Sequence, residues 1–268
     1  MSLSILEAAV IEHHKFWLTS DFAFEKRAAN FDAGLARDIA NTYGVVRGFK
    51  GKRPTNPEDD RSASRIAMEI GSLNLDPKVS LKDKYEVLID VLDRLRRGDA
   101  TSPDPAVRYN LVSGLTKLFW FTQLRNWTMF DDFAARAIDA KGSAIVQGRE
   151  FYGKLEGAEF ASVAKALNSS IQRSDAALQG LHGERVIDKF LWLTGAPASV
   201  RSQAMASASL YLEALGTGLG DKLRHLAAAL DEKHAADINN MLAKAKSLKV
   251  HQQHGQDPAR KRRVHPHA

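Results

Sequence analysis

An all-α fold, a bundle of about ten to twelve helices, follows from three observations. Apolar residues recur at helical spacing along most of the chain, several of the segments they mark stop at glycine, and alternating β-branched runs bounded by tight turns are nearly absent. No internal repeat of fixed period accompanies them. The expected organisation is a helical body over residues 1–250 and a disordered basic tail over residues 251–268.

With 268 residues the chain can bury a substantial core, as one large domain or two small lobes. Hydrophobic residues at 44% and charged ones at 26% belong to a soluble globular composition, and the absence of cysteine excludes disulfides and thiolate metal sites. The opening "MSLSILEAAVIEHHKFWL" has no basic lead and no small-residue cleavage site, and nowhere do eighteen apolar residues run uncharged. A cytoplasmic, non-membrane protein is expected. From Lys244 onward seven Lys/Arg face one acid, which is the whole net charge of +6 and leaves the remainder neutral. A polyanion is therefore met by local clusters, one of them the tail segment "QDPARKRRVHPHA", which can add phosphate contacts without sequence preference. A solubilising tail is the plainer alternative.

In chain order, the first large interruption is "GVVRGFKGKRPTNPEDDR", residues 44–61, where three glycines and two prolines stop helix propagation. Arg47, Lys50, Lys52 and Arg53 crowd four cations into seven residues, a composition suited to a phosphate-binding loop or to a plain solvated linker. The acids Glu58, Asp59 and Asp60 are in position to cap a helix beginning near Ser62. "DKYEVLIDVLDRLRRGD" then sets Tyr85, Leu88, Ile89, Leu92 and Leu95 on one helical face. "GERVIDKFLWLTG" and "SQAMASASLYLEALG" repeat the pattern, each stopping at a glycine suited to a left-handed cap. On the first of these, Asp188 and Lys189 with Arg185 read as a structural ion-pair cluster. His13, His14, His225 and His234 lack ligand spacing and read as surface or satisfied side chains.

The most informative stretch is "KLFWFTQLRNWTMFDDFAARAI", residues 117–138, with five aromatics in its first fourteen residues. "SGLTKLFWFTQLRN" reads as a helix entered after Gly114 with Lys117 in its first turn, where a lysine opposes the helix dipole. From Lys117 to Arg125 such a helix climbs about 12 Å at about 1.5 Å per residue. Six extended residues return about 20 Å. Asp131, at the N-cap of the next helix, can thus come back beside Lys117, a lysine–carboxylate pair at one end of an aromatic-walled groove. Each residue also has a bland role: a capping aspartate, a solvated lysine, an aromatic core.

These residues resemble the helix-hairpin-helix superfamily of DNA glycosylases. Its bifunctional members carry a Gly-rich hairpin running into a helix with a lysine at its start, then an aspartate opening the next helix in a "(V)DxxVxR" pattern; here Gly114-Leu115-Thr116-Lys117 and "FDDFAAR" stand in those places. The resemblance covers about thirty residues closely, within an all-helical chain of suitable size. It implies two helical lobes with a groove between them, Asp131 as the catalytic aspartate, Lys117 as the candidate amine or a phosphate contact, and Arg136 as a helix residue of the same segment. An extruded base would be held by Trp120, Trp127, Phe130 and Phe121, with Phe119 the fifth candidate. DNA would be held by Arg47, Lys50, Lys52 and Arg53 and by the tail's Arg260, Lys261, Arg262 and Arg263. No "LPGVG" hairpin precedes Lys117, the Lys117–Asp131 separation is shorter than the bifunctional pattern, and a hairpin-like "GTGLGDK" occurs only later, at residues 216–222. The short separation argues against Schiff-base chemistry.

The expected activity is that of a DNA glycosylase: a base, in the expectation a modified one, is flipped out and cut from its sugar. Its setting would be repair or anti-phage defence, as in bacterial phage-defence glycosylases acting on modified cytosines. Asp131 would act on the oxocarbenium-like charge that develops on the sugar. No cofactor or metal is expected, DNA is the partner, and the chain is expected to act as a monomer. The alternative is a non-enzymatic α-helical nucleic-acid or protein interaction module, which Asp131 buried in a closed core would favour.

Overall fold

The computed structural model describes residues 3–50, 60–97, 105–107, 111–123 and 125–250. Twelve α-helices appear among them: α1 Ile5–Phe16, α2 Phe22–Arg27, α3 Ala33–Thr42, α4 Arg61–Gly71, α5 Leu81–Arg97, α6 Val112–Trp120, α7 Asp132–Ala137, α8 Ala144–Gly157, α9 Phe160–Gln172, α10 Gly183–Gly195, α11 Ala198–Ala214 and α12 Gly216–Ser247. The one extended pairing among the described residues is an isolated bridge between Phe49 and Val107. No described helix is long and apolar enough to cross a membrane.

The helices start where the sequence supplies caps. Ser4 and Glu7 form a reciprocal capping box on α1, so two otherwise orphaned N–H groups are satisfied at once. Asp60 caps α4 by accepting from the Ala63 N–H at 3.0 Å, and its other oxygen takes the Nε of buried Arg37 at 2.7 Å. A single π-helical turn, Trp17–Asp21, joins α1 to α2 and leaves Asp21 buried. Such a widened turn shifts the register of the helix after it, and these turns recur at functional sites.

α10 is the hub. It packs on α7, α1 and α9, while α1 also lies against α11 and α12. A second set forms around α3 with α4 and α6, and α5 with α8. Gly195, which ends α10, does not adopt a left-handed conformation. It is small because a Cβ there would run into the Phe133 carbonyl of α7, so glycine sets how closely α10 approaches the helix that Asp131 caps. Gly216, by contrast, does take positive φ, +68°, as the first residue of α12 where the chain passes on from α11.

Two further expectations are corrected. The helix carrying Lys117 runs from Val112 to Trp120, so Lys117 lies in its last turn and favours the helix dipole instead of opposing it. The "GTGLGDK" segment is the first two turns of α12, not a hairpin. Docking of α12 on α1 and α9 outweighs the helix cost of its glycines, about 1 kcal/mol each.

Candidate active site

The site is built by strapping the segment after α6 back onto that helix. Trp127 Nε1 donates to the Thr116 carbonyl at 3.1 Å, and the Phe130 N–H donates to Thr116 Oγ1 at 3.2 Å. The buried Tyr152 hydroxyl holds the Thr128 carbonyl at 2.8 Å from the α8 side. Asp131 is thereby brought to the start of α7, where Oδ1 accepts the N–H groups of Phe133 at 3.0 Å and Ala134 at 2.9 Å. Its Oδ2 is left facing Lys117 Nζ at 3.9 Å. Lys117 also donates to Ser113 Oγ at 2.7 Å, and that hydroxyl in turn donates to the Phe130 carbonyl at 2.9 Å. Ammonium and carboxylate therefore stand on one connected scaffold.

Both open into a cavity of about 370 Å³ lined by Lys117, Asp131, Asp188, Lys189, Met129 and the aromatics Phe16, Tyr43 and Trp192, with Glu12 and Lys15 of α1 also on its wall. That volume lies within the range of small-molecule sites, roughly 300–1,000 Å³. Lys117 is 8% exposed. Burial lowers its pKa from the ordinary lysine value, opposed by the charges of Asp131 and Asp188.

Beneath the cavity lies a fully buried charge cluster. Arg185 pairs with Asp188 one turn along α10, reaches Asp21 at 3.4 Å and donates to the Tyr43 hydroxyl at 2.8 Å, which in turn donates to Asp21 at 2.7 Å. Burial opposes the guanidinium charge, but Tyr43, Asp188 and Asp21 more than offset it, so Arg185 is held above its ordinary value. Burial raises Asp188, with Arg185 opposing. Burial, assisted by Arg185, brings Lys189 down to about 8.

Of the residues expected from sequence, Lys117 and Asp131 meet at the cavity. Trp120, Trp127, Phe121 and Phe130, expected to grip a base, do not line it. All four are buried in the core, as is Phe119, because their rings pack against α2, α8 and α10 neighbours such as Phe24, Tyr152 and Arg185, on faces turned away from the cavity. Phe16, Tyr43 and Trp192 supply the aromatic walls in their stead. Arg136 is exposed on α7, and Arg47 and Lys50 are exposed beyond the end of α3. Lys52, Arg53, Arg260, Lys261, Arg262 and Arg263 lie outside the described residues. His13 and His14 are buried: His13 Nε2 accepts the His182 N–H at 2.8 Å, and His14 Nδ1 meets the Tyr211 hydroxyl at 3.0 Å.

Sequence reasoning missed Asp188 and Lys189 as cavity groups. The available signal was the position of Arg185 and Asp188 on the apolar face of α10, where charges stay buried only when a network satisfies them. No family model matches the chain, and neither a curated protein nor a solved structure does.

Proposed function

We propose that the cavity receives a base extruded from DNA and that the protein cleaves the base–sugar bond. The observation that carries this reading is the Lys117–Asp131 pair, 3.9 Å apart, opening into a cavity lined by three aromatic side chains. A flat ring suits such walls, and a base must leave the stack before chemistry on its glycosidic bond. As that bond breaks, positive charge grows on the sugar, and Asp131 Oδ2, free of backbone hydrogen bonds, is the group to meet it. Lys117 faces the cavity, and burial favours its neutral amine over the charged form that a phosphate contact needs. Its role is attack at C1′: the amine nitrogen forms a bond to that carbon while the base departs with the glycosidic electron pair. Main-chain and Ser113 contacts hold both groups before substrate arrives, which is where preorganisation gains rate.

The helix-hairpin-helix glycosylase resemblance and its two-lobed plan belong to the same proposal. The cavity draws on α1, α7, α10 and α11 from one packed set and on α3 and α6 from the other, as a groove between two lobes would. The test is release of free base from duplexes carrying a panel of modified pyrimidines and purines. Asp131→Asn keeps size and capping ability, so folding and DNA affinity should persist while release falls on the order of 10²–10³-fold. Full activity in that variant would sink the assignment.

A further inference from the structure

Lys189 is the cavity group with no assigned work. It lies on α10 between Asp188 and Trp192, both of which line the same space. Among the described residues its Nζ has no hydrogen bond and no ion pair; its one close contact is the Phe16 ring, 3.7 Å from the ring centroid. The neighbouring carboxylates are already engaged, Asp188 by Arg185 and Glu12 by Lys15 at 3.3 Å. Lys189 is partly exposed and opens onto the cavity, so its hydrogens are directed to whatever fills that space, water or a ligand that carries acceptors.

We propose that Lys189 reads the base, donating to a keto oxygen on its edge and thereby selecting keto over amino bases. This rests on the proposed base-excision reading. An ammonium carries three donors and no acceptor, so an exocyclic amine set against it puts donor against donor, whereas a keto oxygen accepts. Phe16 fixes the ammonium on one wall while Tyr43 and Trp192 flank the space, so edge recognition and ring stacking occur together. The same contact assists departure. When the C1′–N bond breaks, its electron pair enters the base and negative charge collects on the keto oxygen. Lys189 then donates a proton to the departing base and regains one from water. Burial makes that transfer easier by weakening the hold of the amine on its proton.

Free hypoxanthine and adenine, a purine pair differing in a keto against an amino group, are the probes, with the heat of binding in titration calorimetry as the readout. Wild-type protein should bind hypoxanthine roughly tenfold more tightly than adenine, the scale of one charged hydrogen bond. Lys189→Met should erase the preference, and Lys189→Arg, which keeps a cationic donor, should retain it. Melting curves establish that each variant is folded, and the partly exposed position tolerates either side chain. A preference unchanged in folded Lys189→Met overturns the assignment of Lys189 alone. Binding of neither base to the wild-type chain overturns the base-binding reading of the cavity itself.

Discussion

Lys117 owes its chemistry to where α6 stops. At the last turn it lies under the strap of Trp127 and Phe130 and loses most of its water. Desolvation penalises the charged amine and lowers its pKa, while Asp131 at 3.9 Å opposes this without reversing it. The neutral fraction therefore grows with pH through a range below the ordinary lysine value, and amine attack should quicken as pH rises through that range. Borohydride should trap a covalent protein–DNA adduct with the wild-type chain and not with Lys117→Ala, and the yield should increase from neutral toward alkaline pH. Absence of an adduct at any pH, alongside normal base release, would assign the attack to water and return Lys117 to a supporting position. The Lys117–Asp131 separation in sequence, shorter than the bifunctional pattern, argues against this chemistry; the observation that favours it is the buried amine standing 3.9 Å from Asp131.

At the scale of elements, the approach of α10 to α7 fixes where Asp131 stands. Gly195 permits that approach, and a methyl there meets the Phe133 carbonyl, which shares a peptide unit with the Ala134 N–H that Asp131 caps. Gly195→Ala should cost about 1–3 kcal/mol of stability by overpacking. It should also slow base release beyond what the reduced stability explains, since α7 must shift. A thermal melt and a rate measured well below the midpoint separate the two effects, and an unchanged rate would show that Asp131 does not depend on this contact. The helices themselves were legible, because an apolar stripe at 3.6-residue spacing needs no knowledge of its neighbours. The Lys117–Asp131 encounter was legible from chain length alone. The direction of the aromatics was not: Trp120 and Trp127 could wall a cavity or fill a core with equal propensity, and only the arrival of Tyr152, 4.3 Å from the Trp127 ring, and Arg185 decides it. The end of α6 at Trp120 was hidden for a related reason, since no glycine or proline announces it and the strap's hydrogen bonds to Thr116 take over instead. Asp188 and Lys189 were visible as charges, but their opening into a cavity depends on α1 and α3 lying opposite.

For the whole molecule, affinity for DNA is a question of where charge sits. Residues before Lys244 are neutral in sum, and the excess of +6 lies in the segment from Lys244 onward. The cavity wall is itself balanced, with Lys15, Lys117 and Lys189 against Glu12, Asp131 and Asp188. Non-specific attraction to phosphate must therefore come from elsewhere, and the candidates are the tail cations and the cluster at residues 47–53, of which Arg47 and Lys50 are exposed beyond the end of α3, the helix whose last residue Thr42 lines the cavity. Removing one cation–phosphate pair reduces the slope of log K against log salt by about one unit. Deleting residues from Gln256 onward removes four Lys/Arg, so the slope should fall by at most about four. Base release at saturating DNA should survive, because the cavity is untouched. Neutralising Lys50, Lys52 and Arg53 together should reduce the slope by at most about three, yet also raise the DNA concentration needed for half-maximal release, since that cluster follows the helix bordering the cavity. Titrations at several salt concentrations decide between them. Slopes unchanged in both variants would mean that neither basic segment touches DNA, and the protein would then be read as a helical interaction module working through another surface.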